Sequence, residues 1–163
     1  MRGVYMVPFF EQTIAAASGD YDLFEIDPAA DKPVDIVAIE LGNKSEIGDA
    51  QEEMVSYAVW YAAGGTFTSG SGTATTPVKT VPNDVAASFA AETVGATVAT
   101  TTGTLTYGHT STFNIRTGLT YVFPPELRTQ CDGAANSAVG VRLRTALADD
   151  ATFSGTLYVR ELV

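Results

Sequence analysis

The chain contains very little cysteine and histidine, and this scarcity limits the chemistry open to it. Cys131 is the single cysteine of the 163 residues, so an internal disulfide is excluded. His109 is the single histidine, and a structural zinc site needs three or four clustered Cys and His ligands. A conventional zinc site is therefore excluded as well. The lack of disulfides is compatible with folding in a reducing cytoplasm.

Basic residues are also few. Nine Lys and Arg stand against nineteen Asp and Glu, which gives a formal net charge of −10 at pH 7. Proteins that bind nucleic acid displace counterions with Lys and Arg, and anionic membrane surfaces attract basic segments. Both surfaces repel a chain this acidic, so we predict that it binds neither nucleic acid nor membrane.

Long hydrophobic runs are missing too. A membrane-spanning helix needs roughly 18 or more consecutive apolar residues, and no stretch of the sequence approaches that length. Pro8, Glu11 and Gln12 interrupt the apolar N-terminal stretch, which therefore lacks the continuous apolar core of a signal peptide. Because proline is confined to sheet edges, we expect residues 1–17 to form an edge strand or an extended arm.

Charged residues make up only 17% of the chain, against roughly 25% in ordinary soluble domains. Thr, Ser, Gly and Ala take their place, and this composition is typical of sheet surfaces and loops. Short runs of strand-like, largely apolar residues are separated by turn residues at intervals of about 8–12 residues. These runs cover residues 21–26, 34–41, 54–62, 112–116, 119–123, 139–147 and 152–162.

This pattern predicts an all-β fold, a single antiparallel β-sandwich domain over residues 1–163, since the length suits one domain. The run 34–41 is apolar on both faces and is expected to be a central, covered strand. Strand number and length favour the jelly-roll type. An immunoglobulin-like sandwich is the alternative, because periodicity does not determine connectivity.

Two connecting stretches give distinct predictions. Residues 64–77, GGTFTSGSGTATTP, are uncharged and of low complexity, which predicts a flexible loop unless a partner holds it. Residues 84–91 begin with Asp84 and carry apolar residues at helical spacing. Asp is a favoured N-cap residue, so a short helix is expected there.

The sequence lacks a recognisable catalytic arrangement. His109 lies between Gly108 and Thr110 without an acidic partner nearby in sequence, and we interpret it as an exposed turn or strand-end histidine. Asp132 follows Cys131, and an acidic neighbour raises the pKa of a thiol and lowers its reactivity. Neither a nucleophile elbow nor a glycine-rich phosphate loop is present. We predict that the protein is not an enzyme and binds no cofactor.

Groups of neighbouring acidic residues are the candidates for calcium, which needs only oxygen ligands. They do not match the twelve-residue EF-hand loop, and acidic residues are common in turns. We interpret them as solvated turns and strand ends and predict no metal site. The groups are Asp20 with Asp22, Asp27 with Asp31 and Asp35, Glu46 with Asp49, and Asp149 with Asp150.

Five side chains are candidates for a binding interface. Phe9 and Phe10 are the first anchor candidates, because aromatic residues dominate interface energetics; the alternative is that they belong to the core of a first strand. Trp60 is a core, interface or sugar-stacking residue. Arg142 and Arg144 share one strand face, and they pair either with a neighbouring subunit's acidic residues or within the domain.

Four runs of sequence carry a resemblance to a known family. They are YDLFEIDPAADKPVDIVAIELG (21–42), GDAQEE (48–53), FNIRTGLTYVFPPELR (113–128) and SGTLYVRE (154–161). Together these runs resemble capsid decoration, or cement, proteins, which are encoded among the head genes of tailed bacteriophages. The resemblance concerns phrases and their order and includes no catalytic motif.

The resemblance implies a jelly-roll sandwich that forms a homotrimer and is made in the host cytoplasm. It implies a position on the outer capsid surface of the virion, where the trimer binds the major capsid protein and bridges neighbouring capsomers. The candidate contact elements are the N-terminal arm and the loop 64–77. The alternative function is that of a carbohydrate- or receptor-binding module of a phage fibre or spike, which also uses all-β folds.

Overall fold

The computed structural model describes residues 3–45 and 52–162, and these residues form antiparallel β-sheets. One 3-10 turn at Pro125–Leu127 is the helical element among them. The strands are β1 (Val4–Ile14), β2 (Tyr21–Asp27), β3 (Val34–Asn43), β4 (Met54–Ala63), β5 (Phe67–Thr68), β6 (Thr73–Ala74), β7 (Val78–Lys79), β8 (Ala90–Gly95), β9 (Thr100–Thr101), β10 (Thr104–Asn114), β11 (Leu119–Val122), β12 (Gln130–Cys131), β13 (Ala138–Leu143) and β14 (Ala151–Glu161). In this described part, no helix is long and apolar enough to cross a bilayer.

Two six-stranded sheets make up the body of the protein. The first sheet has the order β11-β3-β14-β1-β7, with β12 also paired to β3; the second has the order β10-β4-β13-β2-β8-β6. The short strands β5 and β9 pair only with each other. The prediction of an all-β antiparallel sandwich is confirmed.

The core lies between the two sheets and follows the alternation of the strands. On β1, Tyr5, Val7 and Phe9 point inwards, and Phe9 meets Phe24 of β2 with ring centroids 5.2 Å apart. Each such buried side chain contributes about 1.5–3 kcal/mol by leaving water. Strand β3 has paired neighbours on both sides, as the apolar pattern of residues 34–41 predicts.

The N-terminal stretch forms β1, which pairs along its length with β14. On its other side, β7 covers only Tyr5 and Met6. Pro8 therefore lies where β1 is an edge strand. No neighbouring strand needs the N–H that proline lacks.

The predicted helix at residues 84–91 is wrong, because its capping residue is used by the N-terminal strand. Asp84 accepts a hydrogen bond from the Gly3 N–H at 2.9 Å, and the Val85 carbonyl accepts one from the Tyr5 hydroxyl. Phe89 is buried edge-on against Tyr5, with ring centroids 5.6 Å apart. These long-range contacts hold residues 84–89 in an irregular connection with bends at residues 84 and 89.

Candidate functional site

Phe9 and Phe10 lie on opposite faces of the first sheet. Phe9 is 7% exposed and belongs to the core, whereas Phe10 is 74% exposed. Phe10 and Glu11 lie in a β-bulge, because the register of β1 against β14 shifts between Phe9 and Gln12. Bulges often re-aim a side chain at a functional site. Of the two anchor candidates, only Phe10 is accessible.

The bulge is held in place by specific contacts. Glu11 has a left-handed φ of 46°, which is uncommon for a residue other than glycine. Its N–H donates to the Ser154 hydroxyl at 2.9 Å, and its carboxylate pairs with Lys44 at 2.5 Å. The bulge that presents Phe10 is therefore tied to β14 and to the end of β3.

A shallow hollow of about 540 Å³ lies beside Phe10 on the outer face of the first sheet. Its floor is a cross-strand row in which Thr120, Glu40, Thr156 and Pro8 are successive partners on β11, β3, β14 and β1. Among the described residues that line the hollow, Glu40 is the one with a charged side chain, and it accepts a hydrogen bond from the Tyr158 hydroxyl. We call this hollow, together with Phe10 and the 64% exposed Val122, the open face.

The outer face of the second sheet is different, because the chain covers it. Trp60 points outwards from β4 but is fully buried. The ring of Phe67 lies over it, with centroids 6.3 Å apart and planes 28° apart. Ala99 and Ala138 complete this second apolar cluster. Trp60 is therefore not accessible to a sugar or to another protein.

Arg142 is buried beside Trp60 in an ion pair with Asp22. Its Nε and Nη2 donate to the two carboxylate oxygens at 2.6 and 3.0 Å, and both residues are 3% exposed. The Trp60 indole N–H also donates to Asp22 at 3.1 Å. Tyr107 accepts a further hydrogen bond from Arg142 at 2.9 Å. Burial of both residues leaves Arg142 unavailable to a neighbouring subunit.

Arg144 lies at the rim of this cluster and is partly exposed. It pairs with Asp20 at 2.5 Å, with side-chain exposures of 39% and 36%. Its guanidinium carbon lies 4.3 Å from the centroid of the Tyr107 ring. Both arginines thus have acidic partners within the chain, as the intradomain interpretation expects. A groove of about 380 Å³ next to Arg144 is lined by Ser56, Thr110 and Thr112, among other residues.

Residues 64–77 are tied to the second sheet by backbone pairing. The short strand β5 pairs with β9, and β6 pairs with β8. The Ser71 N–H donates to the Thr97 carbonyl at 2.9 Å, and the Thr97 N–H donates to the Ser71 hydroxyl at 2.9 Å. The sequence predicted that residues 64–77 are flexible unless a partner holds them. In the structure, other residues of the same chain hold them.

His109 and Cys131 both pack within the protein. His109 lies in the middle of β10, with Nε2 3.1 Å from the Tyr57 hydroxyl and its ring against Tyr121 and Phe123. This half-buried position differs from the exposed turn expected, and burial lowers the pKa of the imidazole. Cys131 is 4% exposed, and burial raises the pKa of its thiol, which disfavours the reactive thiolate.

The acidic groups do not assemble into a metal site in the part of the chain that the structure describes. Asp20 and Asp22 each pair with an arginine. Asp35 pairs with Arg128 and Arg160. In the last group, Asp150 accepts a hydrogen bond from the Ala16 N–H. The pair Glu46 and Asp49 lies outside the described residues.

Two neighbouring carboxylates were not singled out from the sequence. Glu25 and Glu92 are cross-strand partners on β2 and β8, and residues 64–77 lie against them. A sequence signal existed for Glu25, which is one of three acidic residues on β2 and lies between the apolar residues Phe24 and Ile26. No local signal links it to Glu92.

Comparison of the chain with protein-family models, with curated proteins and with solved structures finds no match. Fold and site define the protein by class alone: an antiparallel β-sandwich with one outer face covered by its own chain and the other left open by residues 3–45 and 52–162.

Proposed function

We propose that this chain is a structural virion protein that binds the outer surface of an assembled phage capsid and stabilises it by bridging neighbouring capsomers. The observation that carries the proposal is the open face. A large aromatic side chain, Phe10, is presented there by a bulge beside a hollow. Contiguous exposed apolar surface marks interaction sites, and aromatic side chains in such surface dominate interface energetics.

We also infer that the sandwich has jelly-roll connectivity. Nine of the described strands have four or more residues. Eight of them, all but β8, have the orders β1-β14-β3-β11 and β2-β13-β4-β10, which place the first strand beside the last in one sheet and the second beside the next to last in the other. Strands β1 to β4 alternate strictly between the sheets. In an immunoglobulin-like sandwich the first two strands share a sheet, so the strand order favours the jelly roll.

The chemistry of the open face specifies its partner. Apolar Phe10, Pro8 and Val122 call for an apolar patch on the major capsid protein, and Glu40 calls for a basic residue beside that patch. Burial of an aromatic ring such as Phe10 contributes about 1.5–3 kcal/mol. Because the chain has a net charge of −10, packaged DNA repels it and does not compete with the shell.

Weak single contacts are sufficient for this function if the protein is a homotrimer. Three copies of the open face engage neighbouring capsomers together, which raises the effective concentration of each contact. A protein that binds the assembled shell and not its free subunits stabilises the shell by mass action. The trimer is part of the proposal, and the mass of the protein in solution tests it.

The experiment is a binding assay with capsids that lack this protein. Wild-type protein is expected to co-sediment with the shells and to add density on their outer surface in electron micrographs. Phe10→Ser is expected to lose most of this binding. Val85→Ser is the matched control, because Val85 is 71% exposed but lies away from the open face. No binding by the wild-type protein would refute the proposed function. Full binding by Phe10→Ser would show that the open face is not the surface that binds the capsid.

The groove beside Arg144 favours a second candidate, a carbohydrate-binding module of a phage fibre or spike. Its hydroxyl groups and the 37% exposed Tyr107 are the kinds of group that bind sugars. The cation already packed on the Tyr107 ring weighs against stacking of a sugar on that face. A glycan array with wild-type protein and with Tyr107→Ala tests this candidate, and a signal that the variant loses would favour it over capsid binding.

A further inference from the structure

Residues 69–72, SGSG, lie flat on the second sheet because their glycines have no side chains. A Cβ at Gly70 would lie 2.4 Å from the Thr97 carbonyl oxygen, and one at Gly72 would lie 2.9 Å from the Glu92 Cβ. Only glycine permits an approach this close. The glycines bring the Ser69 side chain directly over Glu25 and Glu92.

Glu25 and Glu92 face each other across two neighbouring strands. They are direct register partners on β2 and β8, and like charges in such positions repel. Glu25 is 5% exposed, so its ionised form would also be poorly solvated. Burial raises the pKa of the Glu25 carboxyl; hydrogen bonds from Ser69 and Gly70 lower it, the nearby charges of Glu92 and Asp22 raise it, and the net shift is upward.

The Ser69 hydroxyl lies between the two carboxyl groups. Its Oγ is 2.5 Å from Glu25 Oε1 and 3.1 Å from Glu92 Oε2. A hydroxyl has one hydrogen and donates one hydrogen bond. With both carboxylates ionised, one of the two short contacts would set oxygen lone pairs against each other. A single added proton on Glu25 Oε1 satisfies both contacts, since Glu25 then donates to Ser69 and Ser69 donates to Glu92.

The hydrogen bond of the other Glu25 oxygen is consistent with a proton on Oε1. Glu25 Oε2 accepts a hydrogen bond from the Gly70 N–H at 3.0 Å. Thus one carboxyl group holds residue 69 by its side chain and residue 70 by its backbone. The segment that carries these two residues also carries Phe67, which covers Trp60.

The charged groups around Glu25 offer no compensating cation. On its own strand, Asp22 is committed to Arg142, and Asp27 lines the adjoining cavity of about 250 Å³. The partner of Glu25 on β13 is Gly140, and the partner on β8 is Glu92. Among the described residues that line the two cavities at this site, the charged ones are all acidic.

We propose that Glu25 and Glu92 share one proton through Ser69, and that loss of this proton releases residues 66–75 from the outer face of the second sheet. The device is a pH-sensitive latch built into the fold, and it is independent of what the open face binds. Release would uncover Trp60 by lifting Phe67.

The direction of the pH dependence follows from the raised pKa of Glu25. The latched state binds the proton more tightly than the released state. The latch is therefore fully closed below the ordinary pKa of a glutamate and opens as the pH rises through the raised pKa. Between these two pKa values, linkage requires the opening constant to increase about tenfold for each pH unit.

Trp60 is the single tryptophan of the chain, so its fluorescence reports on the latch. Wild-type protein is expected to show a red shift of emission, and easier quenching by neutral acrylamide, as the pH rises. Glu25→Gln keeps the size of the side chain, its donor to Ser69 and its acceptor for Gly70, but it cannot ionise. This variant is expected to keep the low-pH signal throughout. Glu126→Gln, at an exposed position, is the charge-matched control and should titrate like the wild type.

Hydrogen exchange of the wild-type protein gives a second readout that needs no variant. The amides of Gly70, Ser71 and Thr75 are hydrogen-bonded in the latched state. Their protection, corrected for intrinsic exchange, is expected to fall about tenfold per pH unit through the transition. The proposal would be overturned if neither the Trp60 fluorescence nor the amide protection changed with pH. It would also be overturned if Glu25→Gln showed the same pH transition as the wild type.

Discussion

Arg142 and Asp22 form a buried, doubly hydrogen-bonded ion pair that holds both polar groups of one backbone residue, Ala99. The Ala99 N–H donates to Asp22 Oδ2 at 2.6 Å, and Arg142 Nη2 donates to the Ala99 carbonyl at 2.9 Å. Together with the two hydrogen bonds within the ion pair, they satisfy polar groups that would otherwise be costly to bury. The pair therefore fixes the loop before β9 over Trp60.

Asp22→Asn is expected to destabilise the protein by about 3–5 kcal/mol, because it leaves the Arg142 charge buried without a counterion. The free energy of unfolding in urea measures this loss. Asp20→Asn is the matched control at the exposed pair with Arg144, where a change of at most about 1 kcal/mol is expected. Equal effects of the two variants would contradict the structural role given to Asp22.

The second prediction separates Phe9 from Phe10. Phe9→Ala removes a core side chain that packs on Phe24 and is expected to cost about 3–5 kcal/mol of unfolding free energy. Phe10→Ala, at a 74% exposed position, should change that free energy by about 0.5 kcal/mol or less. Urea titrations of the two single variants test this. A large loss with Phe10→Ala would show that Phe10 packs in the folded protein and is not free to bind a partner.

Features that depend on local pattern were predictable from the sequence. The stretch 34–41 is apolar on both faces, and β3 is indeed paired on both sides, although its outer face is open at Glu40. The upward effect of Asp132 on the pKa of the Cys131 thiol was also predictable, because the two residues are adjacent in sequence. The larger effect, burial of the thiol, depends on the fold and was not.

Features that depend on distant residues were not predictable. Asp84 has the local pattern of a helix cap, but its carboxylate binds Gly3, 81 residues away in sequence. The composition of residues 64–77 indicates mobility, yet their glycines allow close packing on the second sheet. Because that packing hides Trp60, the accessibility of this residue is not encoded in the pattern of its own strand.

The third prediction concerns His109 and pH. Burial lowers its pKa, so the folded protein binds this proton less tightly than the unfolded chain. Its contribution to stability is therefore complete above the ordinary histidine pKa of about 6.5 and is lost as the pH falls through the lowered pKa. Relative to His109→Gln, wild-type protein is expected to lose more unfolding free energy between about pH 7 and pH 5.

The measurement for His109 is a pair of urea titrations at the two pH values for each protein. The difference between wild type and variant isolates His109, because Glu25 and the other carboxyl groups are common to both. A difference that does not change with pH would show that the imidazole is as well solvated in the folded state as in the unfolded one.

The last prediction tests the close approach of residues 69–72 to the loop that follows β8 of the second sheet. Gly70→Ala places a Cβ within 2.4 Å of the Thr97 carbonyl oxygen, and relief requires the backbone of the segment to move. Overpacking of this kind typically costs about 1–3 kcal/mol. Gly42→Ala is the matched control, because its Cβ would have no neighbour within 4 Å and its φ lies outside the left-handed region. Urea unfolding with Trp60 fluorescence as the probe should show destabilisation, together with a red-shifted native baseline, for Gly70→Ala alone. An unshifted baseline and unchanged stability for Gly70→Ala would mean that the segment does not lie against the sheet in solution.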